Sequence, residues 1–116
     1  MVMEDDCVFC KIVRGHEEII MENENFVVVK DIYPKVEGHL LVISKEHYDT
    51  FLDMPSEIYE DLLKISRAAA VKIVEEVDVE GFNFFMNNGE TAGQIINHVH
   101  WHILPRKKGD GFVIGI

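Results

Sequence analysis

Residues 98–102 read His-Val-His-Trp-His, and no other segment restricts the fold as strongly. On a β-strand successive side chains point to opposite faces, which places His98, His100 and His102 on one face and Val99, Trp101 and Ile103 on the other. The apolar set can pack into a core. The three imidazoles cannot be explained that way, because polar groups at ~6.6 Å intervals each need a partner or water. Two chemistries use such a face. Imidazoles at i and i+2 can share a metal, but i and i+4 lie ~13 Å apart, too far to converge on an ion with Zn–N bonds of ~2.1 Å. At most two of the three therefore ligate one metal. A neutral imidazole, with a pKa near ~6.5, is also a nucleophile at neutral pH whose covalent intermediate becomes labile on protonation, which suits phosphoryl-type transfer. Just upstream, residues 87–94 (Asn-Asn-Gly-Glu-Thr-Ala-Gly-Gln) form a loop whose glycines let backbone N–H groups approach an anion.

The rest of the chain supplies a small α+β unit. Val8, Ile12 and Phe9, Val13 recur at four-residue spacing before Gly15, a short helix over residues 7–15. Residues 26–30 (Phe-Val-Val-Val-Lys) read as a buried strand with Asp31-Ile32-Tyr33-Pro34 as its exit turn. Residues 40–43 (Leu-Leu-Val-Ile) read as a strand buried on both faces. From Pro55 to about Val77 the positions Ile58, Leu62, Ile65, Ala69, Lys72 (its stem), Ile73 and Val77 form the stripe of one long amphipathic helix, ended by Asp78 and Gly81. Residues 82–86 and 98–104 add two strands. Hairpin-like neighbours on either side of the long helix indicate a mostly antiparallel sheet with the helices on one face.

With 116 residues the chain has room for one core, so a single domain over 1–116 is expected. Eleven Lys and Arg against 21 Asp and Glu leave a formal charge of −10, which excludes a basic surface for nucleic acid. No apolar run approaches the ~18 residues that span a bilayer, and the acidic opening Met-Val-Met-Glu-Asp-Asp lacks the character of a secretory signal, so a cytoplasmic location without membrane contact is expected. The two cysteines, Cys7 and Cys10, have the C-x-x-C spacing shared by metal knuckles and redox dithiols, and spacing alone does not choose between them.

The run Gly-Gln-x-x-x-His-Val-His-Trp-His-Ile-Leu resembles the histidine triad signature, in which three histidines alternate with apolar residues. The resemblance extends over nearly the whole chain, through residues 7–15, residues 26–31 and Gly38-His39-Leu40-Leu41-Val42-Ile43-Ser44-Lys45-x-His47. It implies a fold that pairs into a homodimer with one sheet continuous across both subunits. It implies hydrolysis or transfer at the α-phosphorus of purine nucleotides through a nucleotidyl-histidine. By the same resemblance the catalytic set is His100, His102, His39 and His98: His100 is the nucleophile, His102 binds phosphate oxygens or the bridging atom, His39 supports the triad, and His98 is its first member. Asn87, Gly93 and Gln94 fall on the phosphate side, Asp31 holds the ribose hydroxyls, and Phe9 and Ile32 wall the base pocket. A carboxylate can accept two ribose hydrogen bonds, where Lys or Arg could not.

Some members of this superfamily, including galactose-phosphate uridylyltransferases, bind a structural zinc at positions matching Cys7, Cys10, His47 and His98. Two thiolates and two imidazoles complete a tetrahedral site with no open position for water, so such a zinc is structural. No organic cofactor is implied. Ser44 stands where the family often has proline, and Ile95 where the phosphoramidase branch often has serine; Ile95 offers only its backbone N–H there. Residues 109–116 replace the Trp-Pro-Pro-Gly ending typical of that branch's animal enzymes. The preferred reading is a Hint-like nucleoside phosphoramidate hydrolase. The alternatives are a Fhit-like diadenosine polyphosphate hydrolase, which Leu104-Pro105-Arg106 also resembles, and a nucleotide-binding regulatory module with little turnover.

Overall fold

The computed structural model describes residues 6–113; the acidic opening up to residue 5 and residues 114–116 of the tail lie outside the described residues. Helix α1, Val8–Gly15, is N-capped by Cys7, whose Sγ accepts from the Cys10 N–H at 3.4 Å. Its exit is set by His16, which takes a left-handed backbone (φ 51°) and donates its N–H to the Ile12 carbonyl. The His16 imidazole is exposed and pairs with Glu22. Strands β1 (Met21–Glu22), β2 (Phe26–Lys30) and β3 (Leu40–Ser44) follow, then helix α2 (Tyr59–Glu76), strand β4 (Gly81–Phe85) and strand β5 (His100–Arg106). The sheet order is β1-β2-β3-β5-β4 with every pair antiparallel.

β3 pairs on both sides and all five of its residues are buried. Its alternation divides the core. Leu40 and Val42 join Phe26, Val28, Trp101 and Ile103 under the apolar stripe of α2, formed by Leu62, Ile65, Ala69 and Ile73. Leu41 and Ile43 join Val27, Val29 and Phe9 on the opposite face. Helix α1 therefore lies across the sheet from α2, a correction to the expectation of helices on one face. The reason is that β2 and β3 are apolar on both sides, so each face needs its own cover.

The long helix is also shorter than its pattern. Pro55 precedes a 3-10 turn, Ser56–Ile58, and the α-helical bonds begin only at Tyr59. Lys72 is exposed and pairs with Glu76 rather than extending the stripe. Beyond the helix Asp78 takes a left-handed conformation (φ 55°). Gly38 is required at the turn into β3: with φ 85°, a Cβ there would stand 3.0 Å from Pro105 Cγ and Val77 Cγ1.

β5 begins two residues later than its alternation suggests and runs two residues further. The Val99 N–H donates to the Tyr48 carbonyl at 2.7 Å instead of entering a regular ladder. Pro105 is accommodated because β3 pairing stops at Ile103, so no ladder donor is lost on that side.

Candidate active site and metal centre

The alternation along residues 98–102 holds in three dimensions: Val99 and Trp101 enter the core under α2, while His98 and His100 meet Phe9 on the other face. The backbone sets the tautomer of each imidazole. His100 Nδ1 lies 2.8 Å from the His98 carbonyl, which can only accept, so Nδ1 carries the proton and Nε2 keeps its lone pair. His39 Nδ1 accepts the Lys35 N–H at 3.1 Å, so its proton sits on Nε2, which donates to His102 Nδ1 at 2.9 Å. His102 is left with its proton on Nε2. The result is a pair of opposite character, a free lone pair on His100 and an N–H on His102, with ring centres 5.1 Å apart.

Burial keeps these rings neutral. Desolvation pushes His102 down to about 4 and lowers His39 and His100 from the ordinary histidine range, while the Asp31 carboxylate acts in the opposite direction on all three. Phe9 stands edge-on to His100 at 4.9 Å, and Phe85 stacks nearly parallel on His102 at 4.9 Å and 19°. A neutral imidazole with one unprotonated nitrogen is the form that attacks phosphorus.

Cys7, Cys10, His47 and His98 form a second cluster whose ligand atoms all lie within 4.8 Å of one another. Cys7 Sγ and Cys10 Sγ are 3.3 and 3.5 Å from His98 Nδ1, and Cys10 Sγ is 3.3 Å from His47 Nδ1. A tetrahedral ion with Zn–S of ~2.3 Å and Zn–N of ~2.0 Å separates its ligands by ~3.5 Å, so the set fits zinc. The outer contacts agree: His98 Nε2 donates to the Ser44 carbonyl at 2.8 Å and His47 Nε2 to Asp49 Oδ1 at 2.9 Å, so both rings turn an Nδ1 lone pair toward the sulfurs. Asp31, His39 and His102 also converge. There the Lys35 N–H already occupies one His39 nitrogen, and a metal on the other would require an anionic ring, so this group suits a hydrogen-bond chain.

The remaining expected residues are distributed unevenly. Asp31 Oδ1 accepts the Tyr33 N–H at 2.8 Å, and Oδ2 lies 3.4 Å from His39 Nε2. Ile32, beside it, is 76% exposed. Gln94 is buried and spends its amide on the loop, accepting from the Gly89 N–H at 2.7 Å and donating to the carbonyls of Asp49 at 2.6 Å and Ile96 at 3.0 Å. Gly93 (φ 91°) packs against Asn87, whose side chain a Cβ would meet at 3.6 Å, and Ile95 projects outward, 92% exposed. The expected site set includes neither Phe85, Asp49 nor a hydrogen-bonding role for Ser44, yet all three contact it. The spacing His47-x-Asp49 was a usable signal for one of them; Phe85 is identified only by the register that sets it opposite His102.

A family model described as HIT domain matches residues 14–109. The chain is 39% identical to an uncharacterised HIT-like protein of Methanocaldococcus jannaschii, over 93% of this chain and 84% of that one. It is 36% identical to an adenylylsulfatase of Arabidopsis thaliana, covering 93% of this chain but only 56% of the relative's length. It is 34% identical to an adenosine 5′-monophosphoramidase of Schizosaccharomyces pombe, over 95% and 80% of the two chains. Among solved structures, a protein from Streptococcus mutans superposes with a TM-score of 0.91 at 35% identity, covering 98% of this chain and 74% of that one. A zinc-bound histidine triad family protein from Mycobacterium smegmatis gives 0.82 at 37% identity, covering 91% and 78%. The fold, the alternating histidines and these matches together establish that the chain belongs to the HIT, or histidine triad, family.

Proposed function

We propose that this chain, read as a single HIT domain over residues 1–116, is a nucleoside phosphoramidate hydrolase acting on purine nucleotides. The observation that carries the reading is the tautomer of His100: its Nδ1 proton is committed to the His98 carbonyl, which leaves Nε2 free to attack. Attack forms a bond between Nε2 and the α-phosphorus and breaks the P–N bond; the amine departs with a proton taken from water, while the neutral His102 keeps its Nε2 proton and donates it as a hydrogen bond to the phosphoryl oxygens. Water then attacks the nucleotidyl-histidine, releases the monophosphate and restores the neutral ring. Asp31 takes the ribose hydroxyls, Phe9 and Ile32 flank the base, and the loop carrying Asn87, Gly93, Gln94 and Ile95 lies on the phosphate side. The relatives named monophosphoramidase and adenylylsulfatase support a reaction at a nucleotide α-phosphorus.

A diadenosine polyphosphate hydrolase is the alternative, and Arg106 counts against it. Its guanidinium is already bound to Asp110 at 2.7 and 2.9 Å and to Asn83 at 2.9 Å, so it is not available to a polyphosphate chain. Steady-state hydrolysis of adenosine phosphoramidate and diadenosine tetraphosphate, measured side by side, separates the two. Faster amidate cleavage is expected, and His100→Ala should lower kcat by more than about 10³-fold while monophosphate binding changes little. Retained turnover in that variant would remove His100 as nucleophile. Turnover of neither substrate by the wild type would favour the binding-module alternative.

The reading includes a structural zinc on Cys7, Cys10, His47 and His98, a homodimer and a cytoplasmic location. Among the described residues no helix is long and apolar enough to cross a membrane. The dimer is supported by β4, an edge strand, and by the apolar groove of about 420 Å³ that Phe82 and Phe84 form with Leu63, Ala70 and Val71 of α2. Sedimentation at the mass of one 13.3 kDa chain would exclude it.

A further inference from the structure

We propose that Asp31 is a positioning residue for His102, acting through His39, so that ribose recognition and the chemical step share one carboxylate. The inference rests on the reading above, in which Asp31 receives the ribose. The Asp31 N–H donates to the His39 carbonyl at 3.0 Å, which clamps the residue beside the start of β3. Oδ1 is held by the Tyr33 N–H, and this turns Oδ2 inward to 3.4 Å from His39 Nε2. The His39 side chain is buried at 1% exposure, and Asp31 is mostly covered at 17%, with an opening through which a hydroxyl can reach it. At that separation and burial a carboxylate acts strongly on its neighbour.

His39 cannot turn away, because its Nδ1 is held by the Lys35 N–H. The nitrogen that Asp31 faces is therefore the one whose proton is given to His102 Nδ1 and fixes the His102 tautomer. The negative charge beside that N–H holds it in place and stabilises positive charge spreading over the His39–His102 pair as charge builds on the phosphoryl group. A ribose hydroxyl donating to the same carboxylate alters its charge density, so occupancy of the ribose seat is felt at His102.

The test compares wild type with Asp31→Asn on adenosine 5′-phosphoramidate and on its 2′,3′-dideoxy analogue. The analogue has no hydroxyl for Asp31 to bind, so a carboxylate that only holds ribose would leave kcat on it equal in the two proteins, and that result overturns the proposal. A fall in kcat of at least about fivefold on the analogue is expected, shrinking to less than about twofold when Asp31→Asn is made in a His39→Gln background. Nitrogen-15 NMR of the imidazoles supplies a readout that needs no turnover: the His39 Nε2 and His102 Nδ1 resonances should move between free wild type and Asp31→Asn. Should that variant fail to fold, titration of wild type decides. Both nucleotides carry a phosphate to His102, so the His39 Nε2 resonance is the one that decides: adenosine monophosphate is expected to shift it clearly and 2′,3′-dideoxyadenosine monophosphate much less, and equal responses would overturn the proposal. Activity surviving in His100→Ala would instead refute the hydrolase reading, a failure separate from any result on Asp31.

Discussion

A histidine does directed chemistry only when its two ring nitrogens have been assigned different partners. Here a carbonyl two residues upstream assigns them for His100, and a backbone N–H acting through His39 assigns them for His102. The same burial has a cost in acid. His102 titrates at about 4 in the folded protein and near 6.5 unfolded, so the unfolded chain binds its proton first as the pH falls. Its effect on stability is nil above pH 7 and becomes increasingly unfavourable from about 6.5 down to about 4. Urea midpoints at pH 7 and pH 5 are expected to differ less in His102→Gln than in wild type. An equal drop in both proteins would mean the ring is not held neutral by the fold.

At the level of elements, α1 is the piece least able to stand alone. Eight residues are too few for a helix stable in water. It is held by Phe9, seated against Val27, Val29, Leu41 and Ile43, and by the two cysteines that face His47 and His98. Because Phe9 also touches the ring of His100, losing the helix disturbs the proposed nucleophile as well as the core. Phe9→Ala is expected to cost about 3 kcal/mol in denaturant unfolding. Treatment with a strong chelator should lower the melting temperature of wild type and have little effect on Cys10→Ser. Identical melting of wild type with and without chelator would argue that no bound metal ties α1 to the sheet.

Over the whole molecule the dominant electrostatic fact is a charge of −10 in a protein proposed to capture anions. Lys35 is the lysine whose charge reaches His39 and His102, and Asp31 opposes it there. The global field therefore slows approach of a nucleotide, and moderate salt should leave kcat/KM unchanged or raise it by screening that repulsion. A steep decline with salt would reveal a focused positive cleft.

Much of this organisation is written locally. The strict alternation of residues 98–102 determines that histidines and core residues part to opposite faces, and the doubly apolar run of β3 determines a central strand. The C-x-x-C spacing allowed a metal site, and spatial convergence of Cys7, Cys10, His47 and His98 makes its donor set complete. What the sequence could not contain is pairing between distant segments. The placement of α1 opposite α2, the stacking of Phe85 on His102 and the contact of Ser44 behind His98 each depend on which strand lies beside which. So do the tautomers of His98 and His102, because each ring takes its character from a group that packing sets against it, the Ser44 carbonyl for one and the His39 ring for the other.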